Sequence, residues 1–62
     1  MVLPKVRRDT EPRGKPVWVE RREAVITRRG VWVFMVEVLA WVLFPTVEAA
    51  EDALDMLEFL SE

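Results

Sequence analysis

The side chains best suited to chemistry in this chain are cationic, and their chemistry is the capture of anions. Lys5, Arg7, Arg8, Arg13, Lys15, Arg21, Arg22, Arg28 and Arg29 are its only lysines and arginines, and none lies beyond residue 29. Arginine forks match phosphate oxygens two at a time, so the paired arginines suit a phosphate backbone. Residues 1–29 carry nine basic against four acidic side chains, a net +5. Residues 30–62 carry seven acids and no base, a net −7. The formal charge of −2 thus conceals two fields of opposite sign, which attract different partners.

Bond-making chemistry has little to draw on. His, Cys and Tyr are absent, and Ser61 and three threonines are the only hydroxyls. None has a base to activate it, so no enzyme is expected. The two glycines, Gly14 and Gly30, make no phosphate-cradling loop. Glu48, Glu51, Asp52 and Asp55 lack the loop spacing of a calcium site, so neither a metal nor a cofactor is expected.

Two stretches must position the cations. Residues 1–16 read as a basic arm, because Pro4, Pro12 and Pro16 remove backbone donors and Gly14 adds a break. The apolar Met1, Val2 and Leu3 are candidates to dock the arm onto the body. Residues 17–62 read as the folded domain. Val17–Thr27 and Val31–Phe44 are rich in β-branched and aromatic residues, which favours strands, and the continuous apolar run of the second implies burial on both faces. Arg28-Arg29-Gly30 between them reads as a three-residue hairpin loop. That loop sets Thr27 opposite Val31, Val25 opposite Val33 and Val17 opposite Trp41, and gives Glu37 a cross-strand partner in Arg21.

Pro45 ends the second strand and Thr46 is a helix N-cap, opening an amphipathic helix over Val47–Leu60. The expected fold is therefore α+β, a long hairpin followed by a helix. A two-stranded ribbon is marginal alone, and a 62-residue chain without disulfide or zinc site needs support. With 52% hydrophobic residues to cover, a homodimer is the expected completion. The lack of Cys fits a reducing cytoplasm.

The leading functional expectation is a small regulatory module contacting nucleic acid through Arg7, Arg8, Arg13, Lys15, Arg22, Arg28 and Arg29. A ribbon fits the major groove, a basic arm follows phosphates, and Trp18 and Trp32 suit stacking on unpaired bases. Two short stretches point the same way. Ala24-Val25-Ile26-Thr27-Arg28-Arg29-Gly30-Val31 resembles the hairpin of Phd/YefM-type antitoxins, which implies promoter repression and toxin binding. Gly30-x-Trp32 followed by Phe44-Pro45-Thr46-x-x-Ala49-Ala50-x-x-Ala53 is similar to the strand-to-helix junction of arm-type DNA-binding domains in phage integrases. No functional residue is carried over from either.

Two alternatives stand beside this reading. The acidic helix offers Glu51, Asp55 and Glu58 with Phe59 to a basic protein partner, Phe59 acting as anchor. Residues 31–47, preceded by Arg28 and Arg29, are apolar enough to consider as a membrane span. That span is the weaker alternative, since Val31–Phe44 as helix reaches only about 21 Å against a hydrocarbon core near 30 Å.

Overall fold

A computed structural model describes residues 5–8 and 10–60; the expected docking of Met1, Val2 and Leu3 lies outside them. The chain is α+β. Strands β1 (Val6–Arg7), β2 (Lys15–Val19), β3 (Arg22–Thr27), β4 (Gly30–Met35) and β5 (Ala40–Phe44) precede helix α1 (Val47–Leu60). The strands form one antiparallel sheet in the order β1-β5-β4-β3-β2.

The long hairpin is replaced by a meander, because each expected strand is broken by a turn of its own. In the first, Glu20 and Arg21 both take positive φ, 47° and 69°, and reverse the chain between β2 and β3. Two successive left-handed residues match the right-handed twist of a tight hairpin. In the second, Val36–Leu39 separates β4 from β5, with Leu39 at φ 51° and the Val38 amide donating to the Met35 carbonyl at 3.2 Å. Neither turn contains the Gly, Asn or Pro that announces one.

The register also shifts by one residue. Thr27 faces Gly30 rather than Val31, and Val25 faces Trp32 rather than Val33. Arg28–Arg29 is thus a two-residue connection, and Gly30 belongs to β4. The Thr27 hydroxyl fixes the turn by donating to the Gly30 carbonyl and accepting from the Arg29 amide, each at 3.2 Å. Gly30 itself sits at φ 141°, and a Cβ there would collide with the Phe44 carbonyl on β5. The partner of Glu37 becomes Arg22 instead of Arg21, through two hydrogen bonds of 2.8 and 2.7 Å.

The apolar run is buried on both faces within β4 and β5, while Val36, Val38 and Leu39 in the turn between them are exposed. Val19, Ala24, Val31 and Val33 pack with Ala50 and Leu54 of α1. Val25, Trp32 and Trp41 form a second cluster on the opposite face, flanked by Phe34 and Leu43. Each tryptophan of this pair hides roughly 150–250 Å² of surface, a gross gain of about 4–6 kcal/mol at the usual apolar coefficient. Two cores in one short chain supply the support that disulfides or metals give other small domains.

The helix begins where its cap dictates. The Ala49 amide donates to the Thr46 hydroxyl at 3.0 Å, the N-cap geometry that satisfies an otherwise orphaned donor. Its acids point outward, while Ala50 and Leu54 face the sheet.

The stretch expected to be an arm is partly woven into the sheet. Val6 and Arg7 pair with Val42 and Trp41 on β5, and Lys15 and Pro16 open β2. β1 and β2 lie at opposite edges, and residues 10–14 belong to the connection between them. Five strands from one chain make the sheet without a second copy. The segment considered for a membrane forms β4, β5 and the start of α1, and among the described residues no helix is long and apolar enough to cross a bilayer.

Candidate functional site

Alternation along the strands decides which side chains share the face that α1 leaves uncovered. Cross-strand partners lie on one face, so the pairs Pro16–Val25, Val25–Trp32 and Trp32–Leu43 form one row. The Leu43 amide donates to the Lys5 carbonyl at 3.0 Å, bringing Lys5 to the end of this row. The neighbouring row contains Trp18–Glu23, Phe34–Trp41 and Trp41–Arg7. Phe34 and Trp41 meet edge to face at 5.2 Å, with their rings at 63°, a favourable arrangement of aromatic quadrupoles.

Over the first row runs a cleft of about 1070 Å³, bordered by three parts of the chain. β1 contributes Val6 and Arg7, with Lys5 just before it. The crossing connection contributes Thr10, Glu11, Pro12 and Arg13, and the β3–β4 turn contributes Thr27, Arg28 and Arg29. Trp32 supplies the wall. Pro12 is buried, Trp32 is only 5% exposed, and Gly14 approaches the Val25 side chain, so the connection passes along the helix-free face. The Arg7 guanidinium donates to the Thr10 hydroxyl at 3.1 Å and thereby ties β1 to that connection.

Among the described residues, five cations therefore surround one cleft in the company of one carboxylate, Glu11. Their charged ends remain at the surface, where Arg and Lys keep their hydration until an anion replaces it. The lining offers Thr10 and Thr27 as hydroxyls, with no carboxylate pair beside them. The chemistry of this lining is that of guanidinium and ammonium donors, which match anionic oxygens.

Of the cations singled out from sequence, Arg7, Arg13, Arg28 and Arg29 meet here. Arg8 is exposed next to β1 but does not border the cleft. Lys15 stands opposite Ile26 on the face shared with Val17 and Val19, the helix side. Arg22 is held by Glu37 at the other end of the sheet. Lys5, counted among the cations but left out of the nucleic-acid set, and Thr10 also border the cleft; nothing local says that residues 5–7 pair with residues 41–43.

The acidic set lies on the other side of the molecule. Glu51, Asp55, Glu58 and Phe59 all belong to the exposed surface of α1, and Phe59 is 78% exposed. Glu20, in the β2–β3 turn, faces this helix. Desolvation, a hydrogen bond that its protonated form donates to Asp55, and the charges of Asp55, Glu51 and Glu58 hold its carboxyl above the ordinary range. Glu20 is exposed at the surface, so the acidic neighbours are the better-founded cause. Glu37 is perturbed the other way: its hydrogen bond from Arg22 and a backbone hydrogen bond lower it to about 2.

No protein-family model, curated protein or solved structure matches this chain.

Proposed function

We propose that this chain is a small regulatory module that binds nucleic acid in the cytoplasm through the cationic cleft, without catalysing a reaction. One observation carries the reading: Lys5, Arg7, Arg13, Arg28 and Arg29, far apart in sequence, border a single cleft on the face opposite the acidic helix. Convergent arginines suit a run of phosphates better than a carboxylate-bearing metabolite, because five charges exceed what a small anion can neutralise. The separation of fields adds support. The acids of α1 lie across the sheet from the cleft and repel a polyanion from the wrong face. The regulatory part of the reading rests on the two short resemblances.

The test is binding of a labelled oligonucleotide as a function of salt. Five phosphate contacts give a slope of log affinity against log salt of about −3.5 for a single strand or −4.5 for a duplex. The double variant Arg28→Glu, Arg29→Glu should abolish binding while leaving the circular dichroism unchanged. Full binding by that variant would sink the reading.

A second reading is favoured by one observation. Met56, Phe59 and Leu60 leave a contiguous apolar strip exposed at the end of the acidic helix. That strip supports a protein contact, a second copy being the simplest partner. Phe59→Ala should then shift a light-scattering mass from dimer to monomer; a monomeric wild type argues against self-association.

A further inference from the structure

The two tryptophans suited by sequence to base stacking have opposite fates in the fold. Trp32 and Trp41 are 5% and 6% exposed and have no ring face left to offer, whereas Trp18 is 72% exposed. Trp18 is no loop residue. It sits inside β2, hydrogen-bonded to β3, so its backbone is fixed before any ligand arrives. A large aromatic held open on a rigid strand is preorganised for stacking.

Its surroundings say what would stack. Trp18 borders a shallow depression of about 460 Å³ with Arg21, Arg22, Glu23, Phe34 and Val36. The depression lies on the same helix-free face as the cationic cleft, since Trp18 shares a row with Phe34 and Trp41 next to the row of Trp32. Trp18 stands two strands and one pair of residues away from Trp32, roughly 12 Å at ordinary strand spacings. Directly opposite Trp18 is Glu23, whose carboxylate disfavours a phosphate at that point. The aromatic surface of Trp18 and Phe34 favours an uncharged ring instead. Arg21, on the rim, offers a cation for the phosphate that follows.

We propose that Trp18 is a stacking site for an unpaired base, so that the ligand of the neighbouring cationic cleft is single-stranded DNA or RNA. This rests on the cleft being the phosphate-binding surface. A duplex keeps its bases stacked on one another and would bring a phosphate strand over Glu23. A single strand can lay its backbone along the cleft and turn one base onto the Trp18 ring.

The experiment uses a labelled mixed-sequence oligonucleotide of about ten nucleotides, either single-stranded or annealed to its complement, with fluorescence anisotropy as readout. Wild type should bind the single strand several-fold more tightly than the duplex. Trp18→Ala should lose roughly five- to hundred-fold of single-strand affinity and none of the weaker duplex affinity. Trp18→Phe should retain most of the single-strand affinity, which separates stacking from any effect on the fold. Wild-type affinity in Trp18→Ala, combined with loss in Arg28→Glu, Arg29→Glu, would overturn the stacking site and leave the cleft standing. A preference for duplex would overturn it equally. No binding of either form by wild type would remove the cleft reading and this inference together.

Discussion

Arg22 and Glu37 close a two-pronged ion pair between the start of β3 and the β4–β5 turn, with hydrogen bonds of 2.8 and 2.7 Å. The pair explains how a turn of Val36, Glu37, Val38 and Leu39 is held despite its poor turn residues. It also removes one arginine from the set available to an anion, leaving the cations of the opposite end to form the cleft.

This pair makes stability depend on acid. Glu37 falls from an ordinary value of 4.5 to about 2 in the fold. A carboxyl depressed by folding stabilises above its unfolded value, and the gain is lost as pH drops from about 4.5 through about 2. Because Glu37 is well exposed, the gain is under about 1 kcal/mol. Glu37→Gln should lower the melting temperature by a few degrees at neutral pH, and the difference should vanish near pH 2. A constant difference across that range would contradict the role given to the pair.

The β2–β3 turn should respond in the opposite direction. Glu20 and Arg21 hold left-handed φ angles that ordinary side chains resist at about 1–2 kcal/mol each. Glu20 is also raised by its acidic neighbours, so its charged form opposes folding at neutral pH and the opposition fades as pH falls through its raised value. Replacing the pair with Asn-Gly supplies residues that accept both angles and removes the charge. Thermal melts should show a gain of at least several degrees at pH 7 that shrinks in acid; a loss would mean that Glu20 or Arg21 makes contacts worth more than the strain.

Gly30 should not tolerate a side chain. Gly30→Ala adds a Cβ against the Phe44 carbonyl at a φ of 141°, costing on the order of 2–3 kcal/mol or more. Denaturant unfolding checks this, and a silent substitution would disprove the close approach of β4 and β5 at that point.

These positions show what the sequence could and could not reveal. The helix was legible to the residue, because Pro45, the Thr46 cap and the alternating apolar face are local signals. Burial of the Val31–Phe44 run on both faces was legible from its composition for β4 and β5, but not the exposure of Val36, Val38 and Leu39 between them. The turns at Glu20–Arg21 and Val36–Leu39 were not, since neither is built from residues that favour its angles, and the Arg22–Glu37 pair that holds the second is non-local. The register was off by one because Gly30 was assigned to the loop, whereas its unusual φ serves the strand. For the site, the arginines of the hairpin tip were visible, but their meeting with Lys5, Arg7 and Arg13 depends on β1 crossing to the far edge of the sheet, which no local pattern encodes.

Thr46→Ala removes the acceptor for the Ala49 amide and should cost about 1 kcal/mol. Thr46→Asp should recover it and strengthen the helix dipole interaction. Equal stability of all three proteins would mean that α1 is held by Ala50 and Leu54 alone.

One cleft gathers the cations proposed to meet nucleic acid. The most direct measurement is a backbone amide chemical-shift titration of the intact chain with a short oligonucleotide at low salt. The largest changes should fall at Lys5–Arg7, Thr10, Glu11, Arg13 and Thr27–Trp32, with Val47–Leu60 nearly unmoved. Changes concentrated along α1, or none anywhere, would contradict the account.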